Sequence, residues 1–176
     1  MKGAGRKSGE STAGEVGRAA EKLAAYFPGT RSAADASGEP AAGVLPDTCA
    51  WIDFFAGKAT GVANLVAVAL QNSPVFTCGP VLSELLQGTR GEHDRKAVLD
   101  AHRSLEYAEA TPAVWVRAGD LAAGLRRAGT TVPLSDLLIA AIAIEQRLEI
   151  ITADRHFELI PGVQVQGEAR LLENCP

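Results

Sequence analysis

Four carboxylates stand at comparable places in this sequence of 176 residues. Asp47 and Asp154 each follow a short apolar run that is typical of a buried strand. Glu84 lies in the first turns of a helical pattern after another such run, and Asp136 opens a long apolar helical pattern. Because the carboxyl ends of parallel strands meet at one edge of a sheet, we expect the four side chains to lie together there.

Carboxylates gathered in this way favour a hard divalent cation. Like charges within a few ångströms raise one another's pKa, so the cluster is unfavourable until a cation compensates it. Mg²⁺ and Mn²⁺ prefer carboxylate oxygen, and either ion can activate a water molecule and neutralise the transition state of phosphodiester cleavage. Thr48 and Thr152 are candidates for orienting these carboxylates or their waters. The pattern therefore predicts a site for Mg²⁺ or Mn²⁺.

Each acid has a plainer interpretation when it is taken alone. Asp47 and Asp154 could be ordinary turn residues at strand ends, and Asp136 could be a first-turn acid that complements the helix dipole. Glu84 could face solvent. Their coincidence on one predicted sheet edge favours a shared site over four unrelated roles.

Other polar residues have weaker claims to a chemical role. Asp53 follows Asp47 by less than two helical turns and is expected to be solvated or to support the site. His156 is interpreted as part of a helix start, with a structural role. The cysteines are odd in number and lack CxxC spacing; they are Cys49, Cys78 and Cys175. Two of them lie in apolar surroundings and are expected in the core. Neither a disulfide framework nor a zinc site is predicted.

Alternating strand-like and helix-like patterns organise the chain from Val44 onward. The predicted strands cover residues 44–45, 75–78, 148–152 and 163–165. The predicted helices cover residues 51–55, 61–70, 81–87, 92–110, 112–128 and 136–146. Strands separated by helices imply a parallel sheet with helices on both faces, which is an α/β fold.

Composition and charge fit one globular domain with its own core. The chain is 47% hydrophobic and 22% charged, and no apolar run approaches the roughly 18 residues that span a membrane. Residues 1–20 lack the apolar region of a signal peptide, so we expect a cytoplasmic protein. The net charge of −4 argues against non-specific nucleic-acid binding, but a bound cation would reverse the sign locally. Basic residues concentrate between Arg90 and Arg127.

Residues 1–43 differ in composition from the rest of the chain. Their large apolar residues are few and scattered, and cannot offset the ordering entropy of so long a segment. We predict a mostly disordered extension with one marginal helix over residues 15–26, followed by a folded domain over residues 44–176. Met1 is the only methionine, and we hypothesise that the assigned start is wrong and that translation begins near Val44.

Four motifs in this order resemble those of PIN-domain proteins, in particular the VapC toxins of bacterial toxin–antitoxin modules. The motifs are Val44–Phe55, Pro80–Gly88, Pro133–Ala143 and Ile150–Phe157. The similarity covers about residues 44–170, and residues 1–43 match nothing in the family pattern. It implies a PIN nuclease domain over residues 44–176, with a three-layer α/β/α architecture and a central, mostly parallel sheet of about four to five short strands.

The resemblance also implies an activity, a cofactor and partners. Carried over by position, Asp47, Glu84, Asp136 and Asp154 would be the metal-site acids of a Mg²⁺- or Mn²⁺-dependent endoribonuclease. A metal-activated water would attack the scissile phosphate of a transfer or ribosomal RNA and leave 5′-phosphate and 3′-hydroxyl ends. Toxins of this family usually form homodimers. They are inhibited by a cognate VapB antitoxin, whose C-terminal segment wraps the toxin and reaches the acidic pocket.

Two other functions remain open from the sequence. One is a phosphoryl-transfer enzyme with Asp47 as a covalent nucleophile, although a haloacid-dehalogenase-like phosphatase would need a second aspartate where Cys49 stands. The other is a non-catalytic PIN-like module that binds RNA or protein, with the acids serving only as a surface for a basic partner.

Overall fold

The structure is a computed structural model that describes residues 41–167. Its strands are β1 (Gly43–Pro46), β2 (Phe76–Cys78), β3 (Glu106–Ala108), β4 (Leu148–Ile151) and β5 (Gln164–Gln166). Its helices are α1 (Thr48–Phe55), α2 (Gly61–Asn72), α3 (Gly79–Gln87), α4 (Glu92–His102), α5 (Pro112–Arg127) and α6 (Leu134–Gln146), with a 3-10 helix over Arg155–Leu159. Residues 1–40, which hold most of the predicted extension and its marginal helix, lie outside the described part of the chain.

The paired strands of residues 41–167 all run parallel. β1, β4 and β5 form one sheet in the order β1-β4-β5, and β2 pairs with β3 in a second. A parallel bridge between Val44 and Val75 joins the two, giving the combined order β3-β2-β1-β4-β5. After β1 the chain adds β2 and β3 on one side of β1, and it then adds β4 and β5 on the other side. The sheet's switch point therefore lies between β1 and β4. The predicted α/β fold with a mostly parallel sheet is confirmed.

The core surrounds β1 and α6. β1 is buried along its whole length, as expected of a strand covered on both faces. In α6, Ile139 and Ile142 are fully enclosed, in agreement with an apolar pattern that leaves no polar face. None of the helices described between residues 41 and 167 is long and apolar enough to cross a membrane.

The segment predicted as one helix over residues 92–110 folds differently, and the prediction is wrong there. α4 ends at His102, and after a short turn the chain forms β3. β3 pairs with β2, and the N–H of Glu106 donates to the carbonyl oxygen of Val75 at 3.1 Å. Strand pairing with a segment distant in sequence therefore overrides the local helical spacing, which cannot encode that contact. The other predicted helices and strands agree with the observed ones to within three residues at each end.

Candidate metal centre

The site begins where β1 and β4 end side by side. Pro46 lies opposite Ile151 in the parallel ladder, and the N–H of Asp47 donates to the carbonyl oxygen of Ile151 at 2.9 Å. The next residues, Asp47 and Thr152, therefore emerge next to each other at the carboxyl edge of the sheet. This is the switch point, where ligands of open α/β sheets bind.

Asp47 is held by three hydrogen bonds in a buried position. It is 7% exposed, and its Oδ1 accepts a 2.7 Å bond from the backbone N–H of Thr48 as the N-cap of α1. Its Oδ2 accepts the hydroxyl of Thr152 at 3.0 Å and the thiol of Cys49 at 3.4 Å. Burial raises the pKa of Asp47, these bonds oppose the rise, and the charge of Glu84 adds to it. The carboxylate is thus fixed in orientation and poorly solvated.

Glu84 reaches the same place from α3, which begins directly after β2 with Pro80 in its first turn. The hydroxyl of Thr48, the first residue of α1, donates to Oε2 of Glu84 at 2.6 Å. Thr48 thus connects the end of β1 to the carboxylate on α3.

Asp136 lies in the first turn of α6, where a negative charge complements the helix dipole. The hydroxyl of Ser135 donates to its Oδ1 at 3.2 Å. The pKa of Asp136 is raised, first by burial and then by the charges of Asp47, Asp154 and Glu84. Asp136 therefore experiences the fields of all three other predicted acids, which the fold brings to one edge.

Asp154 follows β4 and caps the 3-10 helix. Its N–H donates to the hydroxyl of Thr152 at 2.9 Å, and its Oδ1 accepts the N–H of His156 at 2.8 Å. The ring Nδ1 of His156 lies 2.8 Å from the same oxygen. Asp136, Asp154 and His156 each present one ligand atom, and these atoms lie within 4.8 Å of one another.

This donor set fits a divalent cation. Carboxylate oxygens are hard ligands of the kind that Mg²⁺ and Mn²⁺ prefer. The charges that raise the pKa of Asp136 repel one another, and a cation among them would convert that repulsion into attraction. Thr48, Thr152 and Ser135 hold the carboxylates through hydroxyl groups, so their orientation does not depend on the ion.

Asp53, the weaker candidate, has a different role. Its carboxylate accepts bonds from Lys58 Nζ at 2.7 Å and Thr60 Oγ1 at 3.0 Å, and these bonds lower its pKa. Lys58 and Thr60 lie in the connection between α1 and α2, so Asp53 closes that loop.

Two residues that contact the acids, Cys49 and His156, were not predicted to do so from the sequence. Cys49 was expected in the core, but its half-buried thiol contacts Asp47 and lies 3.4 Å from Thr152 Oγ1. The sequence signal for this contact was the position of Cys49 two residues after Asp47, which places it in the first turn of the helix that Asp47 caps. The corresponding signal for His156 was its position two residues after Asp154. Cys78, by contrast, is fully buried, and burial raises its pKa to about 12.

The sequence model of the PIN domain matches residues 44–163. The chain belongs to the PIN domain family. PIN domains are generally nucleases that use divalent metals. No protein of curated function has a sequence that matches this chain significantly.

Solved structures agree with this assignment at the level of the fold. VapBC2 from Rickettsia felis, bound to a promoter DNA fragment, is 22% identical with a TM-score of 0.61, covering 70% of this chain and 97% of that one. VapBC-1 from nontypeable Haemophilus influenzae is 19% identical with a TM-score of 0.61, covering 70% and 96%. DNA-bound VapBC from Salmonella typhimurium is 21% identical with a TM-score of 0.57, covering 71% and 97%.

Proposed function

We propose that this PIN domain is a metal-dependent endoribonuclease and the toxin of a toxin–antitoxin module. The observation that carries the proposal is the meeting of Asp47, Glu84, Asp136 and Asp154 at the switch point. Thr48 bonds to both Asp47 and Glu84, Thr152 bonds to both Asp47 and Asp154, and a ligand atom of Asp136 lies within 4.8 Å of one of Asp154. Likeness in fold to proteins from VapBC complexes supports the toxin role. Cleavage of cellular RNA would take place in the cytoplasm.

In the proposed reaction the four carboxylates would hold Mg²⁺ or Mn²⁺, and this chain's hydroxyl and thiol groups hold the carboxylates. When bound there, the ion would neutralise charge at the phosphate and lower the pKa of a water molecule. Thr152 and Cys49 fix Oδ2 of Asp47, and Thr48 fixes Oε2 of Glu84. Ligands fixed beforehand need little reorganisation during the reaction. Attack of water on phosphorus breaks the bond to the 3′ oxygen and leaves 5′-phosphate and 3′-hydroxyl ends.

The RNA backbone would be bound in part by basic residues at the end of α5. Arg126 and Arg127 form the last turn of α5, and a short loop over residues 128–133 leads to α6, which begins with Asp136 in its first turn. Because α5 packs against α6 and this loop is short, the end of α5 lies near the start of α6. Basic side chains there would contact phosphates next to the scissile one.

A VapB-type antitoxin and a second copy of the chain are the proposed protein partners. Ile52 and Phe55 on α1 are 50% and 46% exposed, and Trp115 and Val116 on α5 are 52% and 66% exposed. Val116 borders a groove of about 460 Å³ that also contains the ion pair between Arg117 and Glu145. Exposed apolar groups of this size are typical of interaction surfaces. We propose that the exposed apolar residues of α1 and of the α5 groove form the surfaces bound by these two partners.

Brief induction of the full-length protein in a bacterial host tests the toxin and nuclease functions together. The proposal predicts growth arrest and new 5′-phosphate ends at discrete positions in transfer or ribosomal RNA, with neither after induction of Asp136→Asn. Asp100→Asn, an exposed acid on α4, is the matched control and should behave as wild type. Growth arrest that survives in Asp136→Asn without new RNA ends would instead indicate a binding module.

A further inference from the structure

His156 lies beside two of the proposed metal ligands, not only beside the residue that it follows. Its ring Nδ1 is 2.8 Å from Oδ1 of Asp154. A ligand atom of Asp136, at the start of α6, lies within 4.8 Å of the ligand atoms of both residues. The ring thus faces a point shared by two carboxylates from different elements.

The known separations are compatible with ligands around one small cation. In octahedral coordination with bonds of about 2.1 Å, neighbouring ligand atoms are about 3.0 Å apart and opposite ones about 4.2 Å apart. The 2.8 Å contact between His156 and Asp154 corresponds to neighbouring ligands. The upper bound of 4.8 Å for the whole set requires only a small side-chain adjustment to admit an ion.

The ring is also free to make that adjustment. The side chain of His156 is 55% exposed, and its backbone N–H already anchors the residue to Asp154. With a hydrogen on Nδ1 the ring only donates to Asp154, whereas Nδ1 without a hydrogen offers its lone pair to an ion. The two roles differ in one respect that can be measured: only the second changes which metal binds.

We propose that His156 is a nitrogen ligand that makes this site select a first-row transition metal ion over Mg²⁺. Mg²⁺ is satisfied by oxygen ligands alone, whereas an imidazole nitrogen favours the later divalent ions such as Co²⁺. The inference rests on the proposed function, because it takes Asp136 and Asp154 as ligands of the catalytic ion. His156 is the specificity-determining member of that set.

Metal binding without RNA tests this inference. Full-length protein is titrated with Co²⁺, followed by its visible absorption, and with Mg²⁺, followed by calorimetry. His156→Ala should weaken Co²⁺ binding by roughly 10-fold or more, comparable to the loss of groups that orient a metal ligand, and should change Mg²⁺ binding less than about threefold. His93→Ala, an exposed histidine on α4, is the matched control and should bind both ions as wild type does.

A second measurement identifies the nitrogen directly. The Co²⁺-loaded wild-type protein should show a strongly shifted imidazole proton in its NMR spectrum, which disappears in His156→Ala. Equal Co²⁺ affinity and unchanged shifted signals in His156→Ala would overturn the role of His156. If Asp154→Asn still lost both ions in that case, the proposed metal site would stand. Failure of the wild-type protein to bind either ion would overturn both proposals.

Discussion

Thr152 donates its hydroxyl to Oδ2 of Asp47 at 3.0 Å, although the two residues are 105 positions apart in the chain. The same hydroxyl oxygen accepts the N–H of Asp154 at 2.9 Å. One buried threonine therefore links two of the four proposed metal ligands, and it does so at the switch point between β1 and β4.

Replacement of this hydroxyl should weaken the metal site more than the fold. Thr152→Val keeps the size and β-branching of the side chain but removes both hydrogen bonds. We expect a loss of roughly 10- to 100-fold in metal affinity and in RNA cleavage, measured by calorimetry and by initial rates. Thr152→Ser, which keeps the hydroxyl, should recover most of both. Equal metal affinities for Thr152→Val and wild type would contradict a positioning role.

Removal of Asp136 should stabilise the protein while it abolishes cleavage. The raised pKa of Asp136 means that the folded state binds its proton more tightly than the unfolded state does. Its contribution therefore favours folding below the ordinary aspartate pKa and is lost as the pH rises through the raised value. At neutral pH in EDTA, Asp136→Asn should melt at a higher temperature than wild type. Calorimetric scans from pH 4 to pH 8 should show the difference growing with pH.

Two comparisons make the Asp136 prediction specific. Saturating Mg²⁺ or Mn²⁺ should stabilise wild type but not Asp136→Asn, because ligand binding stabilises only a protein that has the site. Asp100→Asn, exposed on α4, should follow wild type in EDTA and in metal, because its surface ion pair with Arg103 contributes little to stability. A lower melting temperature for Asp136→Asn than for wild type in EDTA would contradict the unfavourable burial and charge repulsion inferred for Asp136.

Gly43 should not tolerate a side chain. An added Cβ atom would lie 2.6 Å from the carbonyl oxygen of Pro74, which already accepts the N–H of Val44 at 3.0 Å. Gly43→Ala is expected to cost about 1–3 kcal/mol, as overpacking of a rigid core position does. Gly119→Ala is the matched control, because nothing lies within 4 Å of its added Cβ atom in α5, and it should gain about 0.5–1 kcal/mol. Urea unfolding measures both, and equal stability of the two variants would contradict the packing argument.

Charge reversal at the end of α5 should weaken RNA binding alone. Arg126→Glu combined with Arg127→Glu should lower the affinity for RNA in Ca²⁺ or EDTA, where cleavage is prevented. The slope of log affinity against log salt should fall by about 1 for each lost phosphate contact. Metal affinity, measured on the same preparation, should remain that of wild type. An unchanged salt slope would indicate that these residues form only a solvated surface.

Local patterns sufficed to predict most of the fold. Val44 and Leu45 form a fully apolar run, and the run from Leu137 to Ile144 has no polar face, so β1 and α6 were predicted from their apolar patterns alone. The parallel arrangement followed from the alternation of strands and helices. β3 was not predicted because it becomes a strand by pairing with Phe76–Cys78, and local residue spacing carries no information about that distant segment.

The candidate site also has parts that local patterns predict and parts that they do not. Asp47 and Asp154 could be predicted because strand ends and helix starts are visible in the sequence, and parallel strands end together. The partners of these acids were less visible. The bonds from Thr48 to Glu84 and from Cys49 to Asp47 depend on side-chain directions in the folded state. A cysteine resembles a core residue in sequence, whereas its thiol here is a hydrogen-bond donor.

RNA cleavage by the purified protein tests the central claim most directly. Initial rates on transfer and ribosomal RNA are measured with Mg²⁺ or Mn²⁺ and with EDTA, for wild type, Asp47→Asn and the control Asp100→Asn. We expect cleavage by wild type and Asp100→Asn that stops in EDTA, a loss of at least about 100-fold in Asp47→Asn, and 5′-phosphate ends on the products. Cleavage by Asp47→Asn at the wild-type rate, or cleavage that persists in EDTA, would contradict the account.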